Sequence, residues 1–526
     1  MATAVTASGI LDRLGAILPE DGLLLGHADR SFYGTDVYRA GAIPVAVAMP
    51  SSIGELQALV AACADTGTPI AVRGGGASYT DGYTHLAEGG LTISTERLNR
   101  IVVINELDAT VTVEPGVTWA QLHAALAEKG WRTPFFGPFS GLVATIGGAL
   151  SQNAVSHGTG AAGVSAESLV GLQIVTGTGA LLKTGSAGSA VAESFFRHFG
   201  PDLAGLFTGD CGALGVKARI TLKMQRAKAH AGFVSFRFDS FERLHEALRA
   251  VAAERLDDEH FAVDAQIQRA QLERASGTGA KLGIARQVME GSESFLDGAK
   301  KLARMAIAGE KDLALAPYAA HWVTEGVSDA EAHDRAARIR VLAGVHGTEM
   351  AATVPTVTRA VPFQPLTNTL GSRGERWVPV HGIFAHSRVM GFHHALQDYW
   401  RANAAVLEAH GIHSGTMFMS VGPNAFLYEP TFNWPDARSI YHERVVPAEY
   451  LAKVPAHAAG PAAAAEVARM KTDVADLMAA HGSAHFQIGK FYPFARGRNG
   501  PAMDLLRAIK AALDPHGILN PGALGL

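Results

Sequence analysis

Three observations predict an α+β fold in more than one domain. The 526 residues exceed what one ordinary core organises. Strand and helix patterns surround a glycine-rich loop in the first half, without the regular alternation of a doubly wound parallel sheet. Hydrophobic residues make up 48% of the chain and charged residues 18%, enough apolar surface to bury cores.

The elements follow in order. Ser52 with Glu55 three residues on forms a capping-box pattern. Leu56, Leu59, Val60 and Cys63 then recur at helical spacing, and Gly67 suits the end of the helix. A short buried strand over 69–72 runs directly into Arg73-Gly74-Gly75-Gly76-Ala77-Ser78-Tyr79. Extended segments are predicted at 91–95, 101–104 and 110–113, the last with strand alternation. Thr118 caps a second helix with Leu122, Ala125 and Leu126 on one face, and Gly130 lies past its end. A strand is predicted at 169–175. Beyond about residue 227 glycine clusters thin out and helical stretches at 241–255 and 330–342 take over. The stretch 454–465 reads as a linker or a loosely packed helix start. A last helix begins near Pro501, with Leu505, Ile509 and Leu513 on one face. The expected divisions are 1–226, 227–480 and a segment 481–526 that returns to the first.

Composition removes several function classes. Net charge is −4 and no basic run occurs, so no nucleic-acid partner is expected. Cys63 and Cys211 alone make neither a disulfide framework nor a zinc-ligand spacing, which fits a reducing compartment. The first ten residues lack a signal-peptide pattern, and no apolar run is long enough to span a bilayer. A cytoplasmic location is expected.

Four segments carry chemistry. Gly74, Gly75 and Gly76 let consecutive backbone N–H groups turn toward one centre, an anion-binding nest. Ser78 adds a hydroxyl donor and Arg73 a charge. The loop matches neither the dinucleotide fingerprint nor a P-loop, so alone it is equally a plain glycine-rich turn. The second segment holds Pro138, Ser140, Thr145, Gly147, Gly148, Ser151 and Asn153, followed by His157 and Gly158. The third holds Asp210, Gly212, Ala213, Gly215 and Val216, and the fourth is 514–522 with Asn520.

In this order the four segments resemble the vanillyl-alcohol oxidase / p-cresol methylhydroxylase superfamily of FAD-linked oxidoreductases, which includes D-lactate and D-2-hydroxyglutarate dehydrogenases. The resemblance is strong over 40–226, usable over the last fifty or so residues and weak between. It implies a two-part FAD-binding domain of the p-cresol methylhydroxylase type and an α+β cap domain with an antiparallel sheet over the substrate. The pyrophosphate loop then falls on Gly74 to Ser78, flanked by Arg73 and Tyr79. The T-I-G-G segment falls on Thr145 to Gly148, and the G-D-x-G-A-L-G segment on Gly209 to Gly215. Asn520 reaches the flavin edge. Some relatives link FAD to a histidine, but Ala77 and Gly374 stand at the two corresponding positions, so non-covalent FAD is expected.

Five residues are catalytic candidates: His381, His485, Glu429, Lys490 and Tyr492. A strand over 377–386 would carry His381 as a base for the substrate hydroxyl, or as a hydrogen-bonded structural histidine. His386, five residues on, would point to the opposite face, so no metal site is expected. In the segment 483–493, a second strand would align His485, Gln487 and Gly489 on one face and end before Lys490, with Lys490, Tyr492 or Arg496 as a carboxylate or phenolate anchor. Gly482 and Ser483 replace the tyrosine–arginine clamp of phenol-oxidising relatives. Glu429, within the aromatic stretch 428–435, reads as pocket wall or packed core, and His393-His394 as surface or interface. The expected reaction moves hydride from a hydroxyl-bearing carbon, of a small 2-hydroxy acid, to flavin N5. The alternatives are a phenolic or lignin-derived aromatic alcohol or alkylphenol, a non-redox flavoenzyme such as alkyl-dihydroxyacetonephosphate synthase, or an FAD-binding protein without catalysis. An electron acceptor (oxygen or a redox partner) is expected besides the small-molecule substrate, and a homo-oligomer is compatible with the sequence.

Overall fold

A computed structural model describes residues 7–275 and 316–526. Local signals set the first elements. The Ser52 hydroxyl accepts the Glu55 N–H at 3.2 Å, starting the helix Ile53–Thr66, and Gly67 at φ +66° ends it. Thr118 and Gln121 cap the helix Trp119–Ala127 reciprocally.

The first sheet orders Leu23–Leu24, Ala46–Ala48, Leu91–Ser94 and Ile70–Arg73. Its last three strands run parallel, and the helix Ile53–Thr66 buries Leu56, Leu59, Val60 and Cys63 against them. A second, antiparallel sheet orders Ile101–Asn105, Thr110–Val113, Val216–Lys223, Leu169–Val175 and Leu181–Lys183. A third and larger antiparallel sheet orders Thr348–Met350, His230–Phe238, Tyr318–Gly326, Glu259–Asp264, His413–Val421, Ala425–Trp434 and Arg376–Pro379. Gly382–Ala385 also pairs with Ala425–Trp434. Helices Phe241–Glu254, Asp329–Gly344, His386–Ala402 and Pro461–Ala480 cover one face of that sheet, burying Phe241, Ile339, Phe392 and Met470 against Phe236, Trp322, Phe418 and Phe432. The fold is α+β, as expected.

Five local expectations need correction. The segment 377–386 is two short strands, because Pro430 has no N–H and the ladder opens opposite Val380 and His381. His386 starts a helix instead of ending a strand. No strand runs through 483–493: Ala484 makes one bridge to Ile383, after which Gln487 (φ +44°) and Gly489 (φ +58°) turn the chain through the left-handed region. In the last helix, Gly500–Leu513, Leu505 is 64% exposed, and Leu506 is the residue that packs with Ile509 and Leu513. His393 is half-buried, its ring stacked on Phe241 at 4.2 Å and its Nδ1 2.9 Å from the Tyr428 hydroxyl, while His394 is exposed.

Candidate active site

The strand Ile70–Arg73 delivers Gly74–Gly76 to the mouth of a cavity, and the helix Ile146–Gln152 faces them from the other side. Thr145 caps that helix by accepting the Gly148 N–H at 3.1 Å. Backbones meet so closely here that side chains have no room. A Cβ on Gly75 would stand 1.6 Å from the Val143 carbonyl oxygen, and one on Gly74 would stand 2.4 Å from the Thr145 hydroxyl. One on Gly147 would meet Pro115 at 2.6 Å, and one on Gly215 would meet Ile174 at 2.3 Å. The walls add Ala77, Ser78, Pro138, Ser140, Thr145, Gly148, Ser151, Gly212 and Val216. A glycine cradle with hydroxyl donors suits a diphosphate and a flat ring system, so the residues present fit FAD.

Other expected cofactor contacts sit elsewhere. Arg73 is 2% exposed and points beneath the loop, its guanidinium 4.6 Å from the Phe32 ring centre and 4.7 Å from that of Tyr33. It braces Gly76 from below and does not line the cavity; Tyr83 adds a hydroxyl donated to the Gly76 carbonyl at 2.8 Å. The charge on the cavity wall belongs to Lys217, whose Nζ pairs with buried Asp210 at 2.8 Å. Lys217 was missed, although it directly follows the third glycine segment. Asn153 (φ +53°) ends the helix Ile146–Gln152, with its side-chain oxygen buried and without a hydrogen-bond partner among the described residues. Ala213 is buried, and Gly158 (φ +86°) makes a turn. His157 is paired with Glu259 and its Nε2 lies 2.9 Å from the Pro362 carbonyl, so its ring is committed to packing.

Asn520 acts as a clamp. Its amide donates to the carbonyls of Gly82 (2.7 Å) and Cys211 (2.5 Å), and its oxygen accepts from Lys490 Nζ at 2.5 Å. Lys490 also donates to the Thr84 carbonyl at 2.8 Å, and burial lowers its pKa to about 8. Both residues tie loops together and neither lines the cavity. Asn520→Ala strips partners from a buried ammonium and two carbonyls, so a loss of about 3 kcal/mol is expected in urea denaturation. A shift under about 0.5 kcal/mol would show that the clamp carries no load.

A second cavity, about 460 Å³, lies between the helix Ala265–Ala275 and the opposite face of the large sheet. Phe139, Phe261, Trp377, His413, Met417 and Glu429 are on its wall. Along Ala425–Trp434, Tyr428, Phe432 and Trp434 enter the core while Glu429, Thr431 and Asn433 face this cavity, so the strand is both core and pocket wall. Tyr79, on the wall of neither, stands between the two cavities. Its ring packs edge-on to Trp377 at 5.7 Å, and its hydroxyl accepts a hydrogen bond from Gln487, a wall residue of the glycine cavity, at 3.3 Å. Phe139 sits between Pro138 and Ser140 and links them a second time.

Of the five catalytic candidates, Glu429 lines the second cavity. It is 7% exposed, and burial raises its carboxyl pKa to about 8. His381 lies across from Glu429 in the register set by Pro379–Thr431 and Gly382–Tyr428. Its ring is fully buried against Phe486 at 3.8 Å, and neither ring nitrogen has a hydrogen-bond partner among the described residues. Burial pushes its pKa well down, so the ring is neutral. The Tyr492 hydroxyl accepts the His381 N–H at 2.8 Å, and its ring stacks on His485 at 4.0 Å. His485 Nδ1 is 2.7 Å from the His381 carbonyl. These three hold the break in the sheet rather than the cavity wall.

A glycine cradle, with a second cavity under a large antiparallel sheet, suits a flavin cofactor with a substrate beside it. Residues 44–185 match the FAD binding domain family, and residues 458–524 match the C-terminal domain of FAD linked oxidases. D-2-hydroxyglutarate dehydrogenase of Xanthomonas citri pv. viticola is 31% identical over 46% of this chain and 50% of its own length. An uncharacterized FAD-linked oxidoreductase of Mycobacterium tuberculosis is 28% identical over 54% of this chain and 60% of its own. The matched region thus spans 60% or less of these relatives. The structure of p-cresol methylhydroxylase with substrate bound superposes at a TM-score of 0.73 with 16% identity, covering 99% of this chain and 96% of that one. The chain thus carries an FAD binding domain and the C-terminal domain of FAD linked oxidases on the fold of p-cresol methylhydroxylase, and its cofactor is FAD. No helix among the described residues is long and apolar enough to cross a membrane.

Proposed function

We propose that this chain oxidises a hydroxyl-bearing carbon, using non-covalent FAD in the glycine cradle and Glu429 as acceptor of the hydroxyl proton. The observation that carries this reading is the Glu429 carboxyl on the wall of a cavity, with Tyr79 standing between that cavity and the cradle. FAD, when bound, supplies a two-electron acceptor for the hydride of the carbon being oxidised. The chain's part is to align the substrate between Trp377 and Phe139, exclude water and take the proton at Glu429 Oε. Relatives named for D-2-hydroxyglutarate and D-lactate, and the hydroxyl-bearing donors those names imply, support the same C–H and O–H chemistry. Residues 1–226 and 481–526 form the FAD-binding part in this reading, and 227–480 the cap. An external acceptor, oxygen or a redox partner, regenerates the cofactor.

Non-covalent attachment rests on the side chains near the cradle. Ala77 stands in the loop, and His85 Nε2 is turned toward Thr92 Oγ1 at 3.2 Å. Acid precipitation of the purified yellow protein is expected to leave the flavin in the supernatant. Anaerobic addition of an alcohol donor is then expected to bleach the bound flavin. A colourless protein that takes up no FAD, or a flavin that no alcohol bleaches, would remove the reading.

A further inference from the structure

Resting on that reading, we infer that the second cavity selects an uncharged alcohol, larger than a three-carbon hydroxy acid, and discriminates against the carboxylate form of the same skeleton. Its volume of about 460 Å³ is within the usual range for a drug-sized ligand, and a three-carbon acid would leave much of it to water. Its wall combines three aromatic rings, Phe139, Phe261 and Trp377, with amides such as Gln266, Gln364 and Asn433. Amides donate and accept without charge, so they suit hydroxyl and amide groups on an aromatic body.

Among the described residues, the ionisable side chains on this wall do not favour an anion. Glu429 presents a carboxyl, and the groups bearing on it electrostatically are the hydroxyls of Tyr79 and Tyr492. His413 is held neutral by burial, which lowers its pKa. Two arginines next in sequence to wall residues already face acidic side chains. Arg359 pairs with Glu325 and lies 3.8 Å from Glu259, and Arg373 is 3.6 Å from Glu273. A substrate carboxylate would shed its water against a carboxyl and neutral amides, which is costly, while a carboxamide of the same shape would keep its hydrogen bonds.

Mandelamide and mandelate test this, because they differ in little besides charge. Each is titrated anaerobically into the FAD-loaded protein at pH 7, and its Kd is read from the perturbation of the flavin absorbance, a readout that needs no turnover. Mandelate is expected to bind on the order of 100-fold more weakly than mandelamide. Gln266→Arg, which places a guanidinium on the wall, is expected to narrow that ratio below about tenfold. Equal or tighter binding of mandelate by the unaltered protein overturns the inference, as does a spectrum that neither compound perturbs. Tight mandelamide binding with no bleaching by any alcohol would leave the inference standing and sink the oxidation reading instead.

Discussion

Glu429→Gln is expected to slow anaerobic flavin reduction by roughly 10²–10⁴-fold, the usual cost of removing a positioned base, and to stabilise the folded protein above neutral pH. The stability effect follows from proton linkage. The unfolded carboxyl loses its proton near 4.5, whereas the folded one keeps it up to about 8. Between those values the folded state binds more protons than the unfolded state, so stability falls as pH rises. Each pH unit in that window costs the folded state up to about 1.4 kcal/mol. Below about 4.5 both states are protonated and the cost vanishes. Glutamine has no proton to lose, so the advantage of the variant should grow from pH 5 to 8 and then level off. The reductive rate of the unaltered protein should rise with pH toward a plateau above about 8, and the variant should lack that rise. Thermal melts across pH, together with stopped-flow bleaching, check both halves. A variant reduced at the original rate would take Glu429 out of the chemistry, and one that is both slow and unstable would point to a packing role.

Gly75→Ala is expected to abolish FAD binding, raising Kd at least about 100-fold, while far-UV circular dichroism stays near that of the parent. The new methyl would overlap the Val143 carbonyl oxygen, 1.6 Å from the Cβ position. Because the obstacle is backbone, no rotamer change relieves it, and the two sides of the cradle must part. Gly212→Ala is the contrast. Gly212 lines the same cavity and a Cβ there meets nothing within 4 Å, but its φ of +72° makes alanine strained. About 1–2 kcal/mol of stability should be lost with flavin content retained. Flavin absorbance per mole of protein separates the two, and full flavin occupancy in Gly75→Ala would mean that the loops can part without losing the ligand.

The cradle was legible in the sequence for a local reason. Glycines are required where two backbones touch, and Ser52, Thr118 and Gly67 state their helix ends within a few residues of chain. Side-chain direction was not legible. Arg73 looked like a phosphate ligand because it adjoins the glycines, yet Phe32 and Tyr33, some forty residues earlier, draw its guanidinium beneath the loop. Lys490 and Asn520 were assigned to chemistry, but each spends its hydrogen bonds on carbonyls of distant loops. The cap was the least legible part. Pro430 interrupts the ladder across from Val380, so a periodicity argument for 377–386 was bound to fail, and the partner strand lies about fifty residues away. Glu429 stood open between core and pocket until the strand Ala425–Trp434 was seen to have one face in each.

The Asn520 clamp also orders events in time. Its two carbonyl partners lie 438 and 309 residues earlier in the chain. The loops around Gly82 and Cys211 are therefore synthesised long before the side chain that fastens them, and the large antiparallel sheet emerges in between. Contacts of such separation form late, after their loop-closure entropy has been met. A chain halted within the large antiparallel sheet lacks Asn520 and leaves the Gly82 and Cys211 loops unfastened.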